Sequence, residues 1–138
     1  PAQVLSKVTK QQAKVVSFNR TRWMRVAAAA LVAAAERSSR IYAIVSRGGR
    51  PDLAGTDVLS RIAAPTLLIV GENDKQVIHL NEKALEQLSR LEKKKKIVII
   101  PGATHLFEEP GTLEEVARRA SGWFECFFLE NRKDVGSH

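Results

Sequence analysis

The sequence holds one cysteine, Cys126, in 138 residues, and a single thiol cannot build an internal disulfide framework. That excludes the small secreted scaffolds stapled by bridges and fits a reducing compartment. Long hydrophobic runs are missing too. The longest, Val26 to Ala35, is mostly alanine and too short to span a bilayer. The first 25 residues are basic and polar, without the apolar segment that a secretion signal needs. These absences point to the cytoplasm and away from a membrane. No short repeat or low-complexity linker divides the chain. One domain is therefore expected over residues 13–130, with an N-terminal arm at 1–12 and a tail at 131–138.

What is present is the composition of a globular protein: 44% hydrophobic and 27% charged residues. The net charge of +7 is uneven. Residues 1–62 hold 11 Lys and Arg against 3 Asp and Glu, whereas residues 63–138 hold 11 against 12. A basic half can mark a nucleic-acid surface. No recognised reader motif accompanies it, and a solvated face accounts for the same charge, so nucleic acid is not expected as a partner. The run Lys93 to Lys96 reads as a solvated turn between a helix and a strand.

Strand and helix patterns alternate along the chain. Residues 13–18 (Ala-Lys-Val-Val-Ser-Phe) read as a strand, and the Ala-rich stretch 26–36 as a helix, because alanine has the highest helix propensity. Ile41 to Ser46 reads as a second strand, broken by Arg47-Gly-Gly-Arg-Pro-Asp52. Pro65 to Val70 is a third. Its unbroken apolar run implies burial on both faces, hence a parallel sheet. Val77, Leu80, Ala84, Leu85, Leu88 and Leu91 recur at helical spacing. Ile97 to Ile100 forms the fourth strand. Thr112-Leu-Glu-Glu115 is a capping-box pattern, and Leu113, Val116, Ala117, Ala120, Trp123, Phe124 and Phe127 form the inward stripe of a last helix. This is a chain of βαβ units, which belongs to the α/β class with about four parallel strands.

In open α/β sheets, ligands bind beyond the carboxyl ends of the strands. Three polar loops leave those ends: Arg47–Asp52, Gly71–Lys75 and Gly102–His105. Asp74 follows the third strand by four residues, and His105 follows the fourth by five. Neighbouring parallel strands lie about 5 Å apart, so these loops can bring the two side chains together. A carboxylate that accepts a proton from His Nδ1 fixes the tautomer and leaves the other nitrogen as a general base. The bland alternative is an Asp at a turn and a histidine satisfied by backbone. His79 reads as a surface or packing residue, and His138 lies in the tail. Cys126, beside the aromatic stripe, reads as a small buried residue without reactivity. No cofactor or metal is expected.

Pro65-Thr-Leu-Leu-Ile-Val-Gly-Glu-Asn-Asp74, followed by Ile97-Val-Ile-Ile-Pro-Gly-Ala-Thr-His-Leu-Phe-Glu-Glu-Pro110, resembles the final strands of α/β hydrolases, and the dienelactone-hydrolase-like branch in particular. The Ala-rich residues 27–36 and Ile44 to Leu53 resemble that branch as well. The resemblance runs from about Ala27 to Leu129. It implies a truncated α/β-hydrolase fold, with Asp74 and His105 as the family's acid and base.

The family's nucleophile sits in a Gly-x-Ser-x-Gly elbow between strand and helix. Counting back from the alanine run places Arg22-Trp-Met-Arg-Val26 there, with neither glycine nor serine. The substitute hydroxyls are Thr21, Ser17 and Ser46. A complete fold of this kind has eight strands, so the strand at 13–18 is expected to be left as an edge. A homodimer through residues 13–26, with Trp23 and Met24 buried in it, would cover that edge. Three functions follow: a hydrolase of small ester or lactone substrates, a non-catalytic remnant serving as an interaction or assembly module, or binding of an anionic ligand by Arg47, Arg50 and the basic first half.

Overall fold

The computed structural model describes residues 13–17, 31–36 and 41–136. Four strands form one parallel sheet in the order of the chain: β1 (Ala13–Ser17), β2 (Ala43–Arg47), β3 (Thr66–Gly71) and β4 (Lys95–Ile100). A parallel neighbour requires the chain to return to the starting end, and helices make that return. They are α1 (31–36), α2 (Thr56–Arg61) and α3 (Lys75–Gln87), with a 3-10 turn at Pro51–Ala54 before α2. The last helix, α4 (Thr112–Gly136), follows β4. The α/β class and the four parallel strands are as expected from the sequence.

Side chains alternate across a strand, so each strand feeds two cores. Ile44 and Leu68 point to one face, with Leu31 and Ala34 of α1, Leu59 of α2 and Ala84 of α3. Val45, Leu67, Ile69, Val98 and Ile100 point to the other, against Phe107 and against Val116 and Ala120 of α4. Every residue of β2 and β3 is buried, which is why β3 reads as an unbroken apolar run. Trp123 ties α4 to the sheet by donating from Nε1 to the Pro65 carbonyl at 3.3 Å, and meets Phe127 edge to face.

Several boundaries differ from the sequence reading. β4 starts at Lys95 rather than Ile97, because Lys95 and Lys96 pair beside Thr66 and Leu67. An outer strand tolerates lysine, and Lys95 has a further role. Its Nζ donates to the Leu85 carbonyl at 2.8 Å, near the end of α3, where helix carbonyls lack partners. The lysine run is thus only partly a solvated turn. Helix α3 ends at Gln87, yet Leu88 and Leu91 stay buried, since the turn beyond the helix packs on the same core. The helical period therefore outruns the helix.

In α4, Thr112 makes no capping box. Its hydroxyl donates backwards to the carbonyls of Phe107 (2.9 Å) and Glu109 (2.7 Å), while Glu115 pairs with Arg118 and Arg119. Leu113 and Ala117 are exposed rather than part of the inward stripe, and Cys126 is exposed rather than buried. The helical backbone continues to Gly136, into the stretch expected as a tail. Among the described residues β1 is an outer strand. The arm at 1–12, Thr21, Trp23, Met24 and the elbow position 22–26 lie outside the described residues. No helix among the described residues is long and apolar enough to cross a membrane.

Centre and outer strand of the sheet predict unequal tolerance on one and the same face. Leu68, 1% exposed at the centre, should lose about 2–5 kcal/mol on Leu68→Ala, whereas Ile99, 43% exposed on β4, should lose under about 1 kcal/mol on Ile99→Ala. Urea unfolding of the two variants measures both.

Candidate active site

β3 and β4 end level with each other: Gly71 lies beside Ile100 in the register. The two loops that follow therefore leave the same rim of the sheet side by side. Their backbones stay paired beyond the strands. Glu72 N–H donates to the Ile100 carbonyl and Asn73 N–H to the Ala103 carbonyl, both at 3.0 Å. Side chains add two more links. Asn73 Nδ2 donates to the Gly102 carbonyl at 3.2 Å, and Gly102 N–H donates to Glu72 Oε2 at 2.7 Å. Gly102 sits at φ 71°, a left-handed conformation natural to glycine, which lets the second loop turn over the first. Gly71 makes the contact possible. A Cβ at that position would lie 2.4 Å from the Ala103 carbonyl oxygen and 2.7 Å from that of Thr104.

Asp74 stands at the N-cap of α3. An aspartate there ordinarily accepts a backbone N–H of the first turn, but Asp74 makes no such bond. Its Oδ2 lies 2.7 Å from His105 Nδ1 instead. The two side chains are 18% and 28% exposed, half-sheltered at the rim. Facing a carboxylate, Nδ1 carries the proton and donates it, which leaves Nε2 with its lone pair. Nε2 takes part in no hydrogen bond among the described residues. The structure thus brings together the two side chains singled out from the sequence, on the loops that were expected to carry them.

The His105 loop is braced from behind. Thr104 N–H donates to Glu109 Oε1 at 3.0 Å, and Phe107 N–H donates to the Thr104 carbonyl at 3.2 Å. Hydrogen bonding from the Thr104 side chain, helped by the amides of Glu109 and Thr104, holds the Glu109 carboxyl below its ordinary value. Phe107 is almost fully buried among the α4-side core residues and has φ 55°, which is strained for a bulky side chain. Core burial and the Thr112 hydroxyl bond to its carbonyl hold it there. None of these braces was anticipated from the sequence. Glu72, Asn73 and Glu109 stood inside the quoted motifs; the register brings Gly102 to Glu72 and Asn73, whereas the turn of the His105 loop itself brings the Thr104 N–H to Glu109.

Arg47 ends β2 at the same rim and lies over the Phe107 ring, 5.7 Å from its centroid. Burial pushes its guanidinium down from the ordinary value. Arg50 is committed elsewhere. It grips Asp52 with Nε at 2.8 Å and Nη2 at 2.7 Å, and that hydrogen bonding raises its pKa. The expectation that Arg47 and Arg50 share an anion is corrected to this extent, since Asp52 neutralises Arg50. Ser46 is buried under the turn at Gly49, whose added Cβ would come within 2.5 Å of Ser46 Oγ, and no hydrogen bond joins it to His105. Ser17 is the last residue of β1. His79 is exposed on α3. Among the described residues no three His, Cys, Asp or Glu side chains gather as a metal site.

Comparison with known proteins bears on this geometry. The crystal structure of a dienelactone hydrolase from Anabaena variabilis is similar over 83% of this chain, with 51% sequence identity and a TM-score of 0.72. The chain covers 49% of that enzyme, about half its length. Two proteins from Mycobacterium tuberculosis strains CDC 1551 and H37Rv, provisionally named phosphoribosyl transferases, are 56% identical over 98 residues. That match takes in 71% of this chain but only 21% of each relative. No family model matches the chain.

Two outcomes test how the loops are held. Gly71→Ala should cost about 1–3 kcal/mol, because backbone oxygens cannot yield as a flexible side chain would; thermal or urea unfolding reads it. A carboxyl held below its unfolded value adds stability above that value and loses it as pH falls through the folded one. The stability gap between wild type and Glu109→Gln should therefore be open at neutral pH and close on acidification, in urea titrations run across the carboxylate range.

Proposed function

We propose that the chain, similar over 83% of its length to a dienelactone hydrolase, is of that branch of the α/β hydrolases and carries the acid and base of a hydrolase acting on small ester or lactone substrates. The observation that supports this reading is the 2.7 Å contact between His105 Nδ1 and Asp74 Oδ2 at the carboxyl rim of the sheet. Asp74 holds the imidazole in one tautomer and offsets the positive charge the ring gains. His105 Nε2 takes a proton from the attacking oxygen as that oxygen bonds to the carbonyl carbon. The ring then returns the proton to the leaving oxygen as the C–O bond breaks. In a lactone that oxygen remains tethered to the product.

The attacking oxygen belongs to a water or to a hydroxyl outside the elbow position, where Arg22 to Val26 offer no serine. Thr21, Ser17 and Ser46 are the hydroxyls to test, and Ser46 is buried. Turnover is expected to be slow relative to an enzyme with the full elbow, because oxyanion donors of that kind are typically worth about 10²–10³-fold. The activity in the name of the mycobacterial proteins stays with those proteins, of which the match spans about one fifth.

Hydrolysis of p-nitrophenyl acetate and of a dienelactone by the purified chain tests the proposal. His105→Ala should lower kcat/KM by about 10²-fold or more, the usual scale for a general base. Equal rates for wild type and His105→Ala would remove the pair from the chemistry. Loss of activity in Thr21→Ala or Ser17→Ala would identify the nucleophile.

A further inference from the structure

Besides the Asp74–His105 contact itself, four hydrogen bonds join the loop that bears Asp74 to the loop that bears His105, and two of them depend on side chains. The backbone pair, Glu72 N–H to Ile100 and Asn73 N–H to Ala103, follows from the register of β3 and β4. The other pair does not follow from the register. Glu72 reaches across to accept Gly102 N–H, and Asn73 reaches across to donate to the Gly102 carbonyl. Both peptide groups around Gly102 are thus gripped by consecutive residues of the opposite loop.

We propose that Glu72 and Asn73 are positioning residues for His105, acting through Gly102 to set the imidazole against Asp74. The inference rests on the reading of Asp74 and His105 as acid and base and names what orients them. Gly102 precedes His105 by three residues, and its φ of 71° starts the turn that carries the ring back over β3. The Glu72 bond is short, at 2.7 Å, and has an ionised acceptor, so it is stronger than an amide–amide bond. Asn73 supplies the opposite polarity, a donor for the carbonyl of the same residue. Neither side chain reaches His105 through a hydrogen bond. Their effect therefore has to pass through the backbone, and a small displacement there is costly at a proton-transfer site. The alternative is a stabilising role without influence on the ring, with no change at His105 when the bonds are cut.

The test reads the imidazole directly. In a background carrying His79→Gln and His138→Gln, His105 is the sole histidine. Long-range ¹H–¹⁵N correlation through its carbon-bound ring protons then reports the tautomer without substrate. The background chain should show Nδ1 protonated and Nε2 as acceptor. Glu72→Ala should shift both nitrogens towards an averaged pattern, Glu72→Gln should keep the original one by preserving an acceptor for Gly102 N–H, and Asp74→Asn marks full loss. Asn73→Asp, which sets a carboxylate against the Gly102 carbonyl, should shift the ring as Glu72→Ala does. Amide spectra establish that each variant is folded, and Asn73→Asp carries the test if Glu72→Ala is not. An unchanged ring in the folded variants overturns the proposal, even where the esterase is active. Conversely, an inactive wild type with ring shifts in these variants would sink the hydrolase reading and leave the positioning role standing. In an active protein, Glu72→Ala should lower kcat about tenfold with KM little changed, and Glu72→Gln should restore it.

Discussion

Two strands that end at the same height carry the rest of this site. With Gly71 beside Ile100, the loops after β3 and β4 begin as neighbours and extend the strand pairing past the sheet. That extension needs a residue without a side chain at 71, because the Ala103 and Thr104 carbonyls occupy the space a Cβ would take. From this contact follows the meeting of Asp74 with His105, three and five residues beyond the strand ends at Gly71 and Ile100. A shift of one residue in the register would turn the strand faces over and part the two loops.

The site sits where two cores meet the rim. On one side, α3 presents Asp74 at its first turn and anchors itself through Val77 and Ala84. On the other, Phe107 plugs the α4-side core two residues after His105, at the cost of a left-handed backbone, with Arg47 above its ring. The histidine is thus held between a polar bracket, made by Glu72, Asn73 and Gly102, and an apolar plug. Polar links at an exposed rim contribute little to overall stability, about 0.5–1.5 kcal/mol each. Their value lies in orientation, and that is why Asp74 leaves its own helix uncapped to face the imidazole.

Similarity to a dienelactone hydrolase frames the chemistry proposed for this site. The loops of Asp74 and His105 bring their side chains to 2.7 Å, while residues 22–26 contain neither serine nor glycine. In the proposed hydrolase reading, a pair without a serine at 22–26 makes the source of the attacking oxygen the chemical question. The pair remains able to take and return a proton whichever oxygen supplies it.

The class of the fold, the parallel sense of the sheet and the pairing of Asp74 with His105 were legible in the sequence. Strand burial writes itself as an apolar run in β3, and chemistry at a strand's carboxyl end writes itself as Asp and His at short, matching offsets. Helix ends and braces were not legible. Leu88 and Leu91 continue the helical period in a turn, because burial rather than helicity sets the pattern. Thr112 and Glu115 match a capping box yet bond elsewhere, since carbonyls from the preceding loop and two arginines lie nearer. The bonds of Glu72 and Asn73 to Gly102 belong to tertiary structure alone. Their partners are backbone groups up to 30 residues away, and a peptide group carries no mark in the sequence of which side chain will find it.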